Sequence, residues 1–290
     1  MQETLRIAWR KRGRADGRRM MVLAAVITPF ADGVLDESSF EENIRFLEFS
    51  GADGCLIAGT TGENAVLTEA ERDREIVVAR RVLAPGSIVL CGTKRTTRTV
   101  DAAVAETAVF SRLGVDAALV APLSDPADQA DETRVVEEIA AVARSASVPV
   151  VFYHPPTYAK RPLSEGAIAA IRDIPELAGV KDSTGHDRFV EVWAERSAPD
   201  FGVFVGSSRI FRALAAAPKS PATGGIMALA GLCPSAYLDL QRLRADGLDV
   251  GAIDAAIARR ESVVQAGGIP ALKALYEDEG LFGGESTPSR

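Results

Sequence analysis

The chain has little of what several protein classes require. Cysteine occurs three times in 290 residues, an odd count that cannot pair fully within the chain. Cys55 and Cys91 lie inside apolar runs, so they read as small buried hydrophobes of a reducing compartment. Histidine occurs only as His154 and His186, without ligand-spaced partners, and no metal site is expected. No apolar run is long enough to span a bilayer. The N-terminal stretch has no apolar core of signal-peptide length. Together these absences predict a cytoplasmic protein with no membrane partner. Positive charge is scarce as well: 33 Lys and Arg stand against 40 Asp and Glu, a formal net charge of −7. That balance excludes general nucleic-acid binding, which needs a clustered positive surface.

The basic residues are unevenly spread. Residues 1–20 carry seven Lys and Arg against Glu3 and Asp16, which leaves the remainder near −12. A basic targeting tail is one reading. A disordered extension ending at Met20 and Met21 is the simpler one.

Apolar residues, at 47%, suffice for a large core. They fall into eight short runs: 22–27, 53–58, 87–91, 116–121, 149–153, 178–182, 202–206 and 224–229. Near-continuous apolar runs of this length suit strands buried on both faces of a parallel sheet. Between them, apolar residues recur at helical spacing. One such segment, 36–49, is entered through Asp36 and carries Phe40, Ile44, Leu47 and Phe49. Another, 99–113, carries Val104, Ala108 and Leu113. An open doubly wound sheet is the competing architecture, but it advertises a Gly-rich phosphate loop after its first strand. The first run here is followed by TPFADG. The predicted fold is therefore α/β, a (β/α)₈ TIM barrel over 21–232. Helical stretches at 234–246, 251–265 and 270–279 form a C-terminal helical appendage over 233–290.

Active sites of such barrels gather at the carboxyl ends of the strands. Lys181 ends the sixth run. A lysine aimed into a barrel mouth is poorly solvated, which disfavours the ammonium and yields a nucleophilic amine. The alternatives are a snorkelling lysine or an ion pair with Asp182 or Glu63. After the second run comes Gly59-Thr60-Thr61-Gly62-Glu63, a tight turn whose N–H groups can hold a carboxylate. It could equally be an ordinary loop with Thr61 capping the next helix. Tyr153 ends the fifth run, where a phenol can shuttle protons or simply pack. Ser207 follows the seventh run, and Ile226 lies in the eighth.

TPF with its following DG, GTTGE, the YxxP segment at Tyr153 and GVKDSTG around Lys181 together resemble the dihydrodipicolinate synthase / N-acetylneuraminate lyase family of class I aldolases. The resemblance runs from about Met21 to about Pro234. It implies a lyase in which Lys181 forms a Schiff base with a 2-oxo acid, pyruvate being the enamine partner, and an aldehyde is the second substrate. It implies Tyr153 and Thr60 as the proton-moving pair. It implies Gly59, Thr61, Ile226 and Ser207 as substrate contacts, a homo-oligomer (dimer or tetramer), and no cofactor. Dehydration of a 2-oxo sugar acid through the same imine is an alternative, as is true 4-hydroxy-tetrahydrodipicolinate synthase activity. A non-catalytic oxo-acid-binding barrel ranks last.

Three departures bear on the substrate. The lysine-pathway synthases resemble YNxPxRTG after the fifth strand, whereas Tyr158 stands here at the arginine. Sialic acid lyases resemble GxDE after the seventh strand, whereas Gly206-Ser207-Ser208-Arg209 stands here. Lys94, Arg95 and Arg98 follow the third strand, where an acidic tail of the acceptor would find them; a solvated basic loop is the plainer reading. Many relatives carry P-Y-Y after the fourth strand. Pro122-Leu123-Ser124 replaces it, which predicts a proton relay built within one subunit.

Overall fold

The computed structural model describes residues 19–123, 131–158, 162–195, 201–216 and 220–285. Eight strands form at the eight apolar runs: β1 (Met21–Ala25), β2 (Gly54–Ile57), β3 (Ile88–Gly92), β4 (Ala117–Val120), β5 (Val150–His154), β6 (Leu177–Asp182), β7 (Gly202–Val205) and β8 (Gly224–Met227). Sequential neighbours pair in parallel, and β1 pairs with both β2 and β8, so the sheet closes into a barrel. Parallel neighbours need a crossover connection, and helices supply it. These are α1 (Glu37–Phe49), α2 (Glu69–Val82), α3 (Val100–Arg112), α4 (Glu132–Ser145), α5 (Glu165–Arg172), α6 (Asp187–Ala194) and α7 (Ser208–Leu214). After β8, α8 (Pro234–Ala245) packs on β1 and completes the outer ring. The appendage proper is thus α9 (Gly251–Asp278).

Local chemistry sets the helix starts. The Asp36 side chain accepts from Ser39 N at the head of α1, and Thr68 and Glu71 form a reciprocal capping box at α2. Thr68, not Thr61, caps that helix, so the capping explanation of the GTTGE threonines falls away. The two stretches expected at 251–265 and 270–279 are both present within α9, as two helical arms parted by a kink at Gly268, whose φ of 63° and ψ of −147° are not helical. Gly tolerates that left-handed value, and Pro270 starts the second arm two residues later.

Two details differ from the helical pattern read in the sequence. Phe40, Ile44 and Leu47 of α1 are buried, but Phe49 is 94% exposed. In α3 the buried face is Ala103, Thr107 and Phe110 rather than the expected Val104, Ala108 and Leu113, shifted by one residue at its first two positions and by three at the last. Thr107 is the reason: its hydroxyl donates to Val104 O and accepts from Ser147 N, so a polar residue occupies a core position.

The barrel has two apolar layers. Leu23, Leu56, Leu90, Leu119, Val151, Phe204 and Ile226 fill its interior, while Val22, Ile57, Val89, Val120 and Phe152 face the helices. Of the predicted extension 1–20, residues 1–18 lie outside the described residues. Its last two are pinned. Arg19 makes two hydrogen bonds to Asp53, at 2.8 and 2.7 Å, and Met20 N donates to Gln241 of α8 at 2.7 Å.

Candidate active site

Strand alternation decides which side chains enter the barrel. On β5, Val151 and Tyr153 face inward, while Phe152 and His154 face the helices. On β6 the alternation breaks once. Val150 pairs with Leu177, but Val151 pairs with Gly179, leaving Ala178 as an extra residue. Such a bulge shifts the strand by one and re-aims every side chain after it. Leu177 faces out, Ala178 faces in, Val180 faces out, and Lys181 therefore faces in, beside its register partner Tyr153. Gly179 is required at the bulge, because a Cβ there would lie 2.4 Å from Gly202 O.

Lys181 Nζ sits 4.9 Å from the centre of the Tyr153 ring. Among the described residues no acid lies within ion-pair distance of it. Burial alone therefore lowers its pKa, from 10.5 to about 7. An ordinary lysine holds roughly 0.03% free amine at pH 7, whereas this one holds about half, a gain of about a thousandfold. The neighbours proposed as alternative partners are both engaged elsewhere. Glu63 pairs with Lys273 at 2.6 Å. Asp182 points outward and accepts from His154 Nδ1 and Trp193 Nε1, each at 2.9 Å, and from Thr184 N and Oγ1. Its burial works to raise the pKa, but these hydrogen bonds outweigh it and hold the carboxyl below the ordinary range. Since a carboxylate only accepts, His154 Nδ1 carries the hydrogen. This network ties the ends of β5 and β6 together behind Tyr153 and Lys181.

Burial raises the Tyr153 phenol above its usual pKa, and hydrogen bonds with Thr60 and Ser183 partly offset this. Ser183 carries no signal of its own in the sequence beyond its place in GVKDSTG. It is held close: a Cβ on Gly206 would collide with its hydroxyl.

The GTTGE loop is bracketed by two non-glycine residues in the left-handed region, Ala58 (φ 48°) and Glu63 (φ 55°). Each such residue costs of order 1–3 kcal/mol and persists only where its surroundings enforce it. Here Gly92 leaves room for the Ala58 carbonyl, which a Cβ would approach to 2.4 Å. Glu63 is clasped by Lys273 of α9, whose Nζ also donates to Glu285 O at 2.7 Å and lies 4.8 Å from the Phe30 ring centre. Thr28 Oγ1 lies 2.9 Å from Gly62 O and 2.7 Å from Glu75 Oε1. One hydroxyl hydrogen serves only one of them. Burial pushes the Glu75 carboxyl up to about 8, so at neutral pH it supplies the second hydrogen itself. The result is a loop held from below, whose Thr60 and Thr61 N–H groups make no hydrogen bond among the described residues.

A cavity of about 250 Å³ opens above this group. Gly59, Thr60 and Tyr153 line it together with Asn64, Thr93, Lys94, Arg95 and Arg98, and Pro155–Thr157 form a further wall. Lys181 is not itself among the lining residues; it adjoins the cavity through Tyr153, whose ring it faces. Ile226 belongs to the barrel interior that also holds Tyr153. Ser207 caps α7 by accepting from Ile210 N, and neither it nor Thr61 lines the cavity. Arg209 is spent on Asp187 and Gly185 O, which joins the loops after β6 and β7. Leu123 lines the cavity and is buried, whereas Ser124 lies outside the described residues.

The family model described as the dihydrodipicolinate synthetase family matches residues 19–261. The chain belongs to this family. As a dihydrodipicolinate synthetase family member it is an enzyme, a Schiff-base-forming lyase of the class I aldolase type. It is 30% identical, over 88% of its length and 80% of the relative's, to 4-hydroxy-tetrahydrodipicolinate synthase of Salinibacter ruber. It is 27% identical to the enzyme of that name from Macrococcus caseolyticus, over 75% of this chain and 71% of the relative. Among solved structures, DapA-2 dihydrodipicolinate synthase of Bacillus anthracis superposes with a TM-score of 0.80, covering 95% of this chain and 93% of that one at 19% identity. KD(P)GA from T. tenax superposes at 0.78, covering 93% and 92% at 21% identity. These two likenesses show the barrel fold. No helix among the described residues is long and apolar enough to cross a membrane.

Proposed function

We propose that Lys181 is the Schiff-base nucleophile of an aldolase that joins pyruvate to an aldehyde or releases it from a longer 2-oxo acid. The observation that carries this reading is a buried lysine at a strand end, facing inward, with no counter-charge in reach. The amine adds to the ketone carbon, and loss of water leaves an iminium. In the synthetic direction, a proton leaves C3 to give an enamine, C3 bonds to the aldehyde carbon, and the new alkoxide takes a proton. Water then releases the product and restores the amine. Tyr153, with Thr60 and Ser183, moves the protons. The unused N–H groups of Thr60 and Thr61 cradle the carboxylate next to the ketone, and Gly59 lets the substrate approach. Ile226 packs below. Ser207 acts on the site only through the start of α7. The relay is complete within one subunit, and the working assembly is a cytoplasmic homo-oligomer, dimer or tetramer. Tyr158 in place of the arginine disfavours aspartate semialdehyde as the acceptor.

Incubation with pyruvate followed by borohydride reduction and peptide mapping tests the reading. The added mass is expected on the peptide containing Lys181. An adduct chiefly on Lys94 or Lys160, or none with any 2-oxo acid tried, rejects it.

A further inference from the structure

We infer that Lys94, Arg95 and Arg98 form a distal anion subsite, so that the acceptor is an aldehyde whose far end carries a carboxylate or a phosphate. The inference rests on the function proposed above and names its substrate class.

The cavity is asymmetric in charge. Its reacting end offers hydroxyls and backbone: Thr60, Gly59 and Tyr153. The segment after β3 adds three cations to the lining, and no acid is among the residues that line it. This concentration of positive charge stands in a chain of net charge −7. A concave wall of one sign focuses potential on whatever enters.

The cations are also available. Lys94 pairs with Glu69 at 3.2 Å, but Glu69 is largely exposed, and such a surface pair contributes little. Among the described residues, Arg95 and Arg98 pair with no acid. Arg98 makes hydrogen bonds only to the backbone carbonyls of Arg95 and Thr97. Arg95 is near enough for its charge to lower the pKa of Tyr153, counter to burial, which remains the larger influence.

The segment that carries them is braced rather than free. Glu106 of α3 accepts from Lys94 N at 3.0 Å and from the Thr97 hydroxyl, and its charge is matched by Arg72 at 3.0 Å. Asn64 Nδ2, from the end of the GTTGE loop, donates to Thr93 O at 3.1 Å. The one acid under the segment is therefore committed to holding its backbone, and the platform is registered against the loop that would hold the first carboxylate. A solvated basic loop needs none of this bracing. Pyruvate alone uses one end of the cavity, and the cationic segment then has no ligand. A second anion at the far end of the acceptor gives it one through charge-assisted contacts, for which Arg offers a fork and Lys a point charge.

The test pairs acceptors that differ in one terminal group, each with pyruvate: butanal against succinic semialdehyde, and glyceraldehyde against glyceraldehyde 3-phosphate. At low ionic strength kcat/KM is expected to favour the charged member of at least one pair by about tenfold or more, mainly through KM. The preferred pair identifies the anion as carboxylate or phosphate. The ratio should shrink between about 20 and about 300 mM salt as the charges are screened. In Arg95→Met/Arg98→Met it should collapse toward one, and in Arg95→Lys/Arg98→Lys most of it should return. Ratios near one for both pairs in the wild type, or a ratio the Met variant leaves untouched, overturn the subsite. Borohydride trapping of pyruvate by the wild type uses no acceptor. Its failure rejects the Schiff-base reading and the subsite with it, whereas normal trapping with ratios near one rejects the subsite alone.

Discussion

Lys181 and Lys273 are alike in burial and in their aromatic neighbour, and differ in what their amines meet. They are 5% and 3% exposed, and each places its Nζ just under 5 Å from the centre of an aromatic ring, Tyr153 in one case and Phe30 in the other. Lys273 meets the Glu63 carboxylate at 2.6 Å, whereas Lys181 meets no acid. Burial and an aromatic wall therefore do not make a nucleophile. What separates the two is the counter-charge: an ammonium taken out of water without compensation is held at a lowered pKa, as the proposed role of Lys181 requires. The paired lysine clasps the GTTGE loop, and Lys181, which pairs with no acid among the described residues, is the one to which the nucleophilic role is assigned in the proposal.

The sharpest way to break this comparison is to restore a permanent charge at the unpaired site. Lys181→Arg cannot lose its proton and should cost on the order of 10⁴ or more in turnover, with no borohydride adduct. Appreciable turnover would place the nucleophile elsewhere. Tyr153→Phe comes next, because it gives Lys181 the same kind of ring that Lys273 already has. It should slow turnover by about 10²–10⁴ while the fold persists. A near-silent change, measured at saturating pyruvate, would mean that Tyr153 only packs. Lys273→Met removes the counter-charge from the other side and leaves Glu63 buried and uncompensated. It should destabilise the protein by about 3–5 kcal/mol in urea unfolding. A loss below about 1 kcal/mol would show that the pair is structurally idle.

The smallest effect is graded with pH. With a pKa of about 7, the rate of adduct formation should rise roughly tenfold from pH 5 to pH 6 and level off above about pH 8. A midpoint near 10 would mean that Lys181 is an ordinary lysine. Stability follows the same group in a defined direction. Between about 7 and 10.5 the unfolded chain binds the Lys181 proton and the folded chain does not. The contribution of this residue to stability therefore rises with pH across that window and is lost as pH falls through about 7.

The barrel was legible because each strand is apolar on both faces, and all eight fall within a residue or two of their runs. Legibility failed where one residue broke a local rule. Thr107 put a hydroxyl on the buried face of α3 and displaced the apparent stripe. Phe49 follows the apolar spacing of α1 yet faces solvent. The break in α9, by contrast, was legible: the two stretches read at 251–265 and 270–279 are its two arms, parted at Gly268. In the site, the inward placement of Lys181 and Tyr153 at neighbouring strand ends was legible in part, since each ends an apolar run, but position alone left a snorkelling lysine and a packing tyrosine open, and their roles came from the family resemblance. Ser183 was not legible, because a serine just after a strand end looks like any turn residue. Nor was the clasp of Glu63 by Lys273: only the bend in α9 brings together groups 210 residues apart in the chain. The threonines of GTTGE were ambiguous until Thr68 proved to be the cap of α2.

The extra residue in β6 gives this strand two reading frames, one before Ala178 and one after it. Substitutions away from Gly179 leave the frame intact, so the rest of the strand can drift in composition while Lys181 stays on the inward face beside Tyr153. A one-residue deletion at the bulge does not. It would turn Lys181 toward the helix layer where His154 and Trp193 wait for a carboxylate, and bring Asp182 into the barrel mouth. The aim of this lysine thus depends less on the side chains around it than on the number of residues in β6 between Leu177 and Asp182.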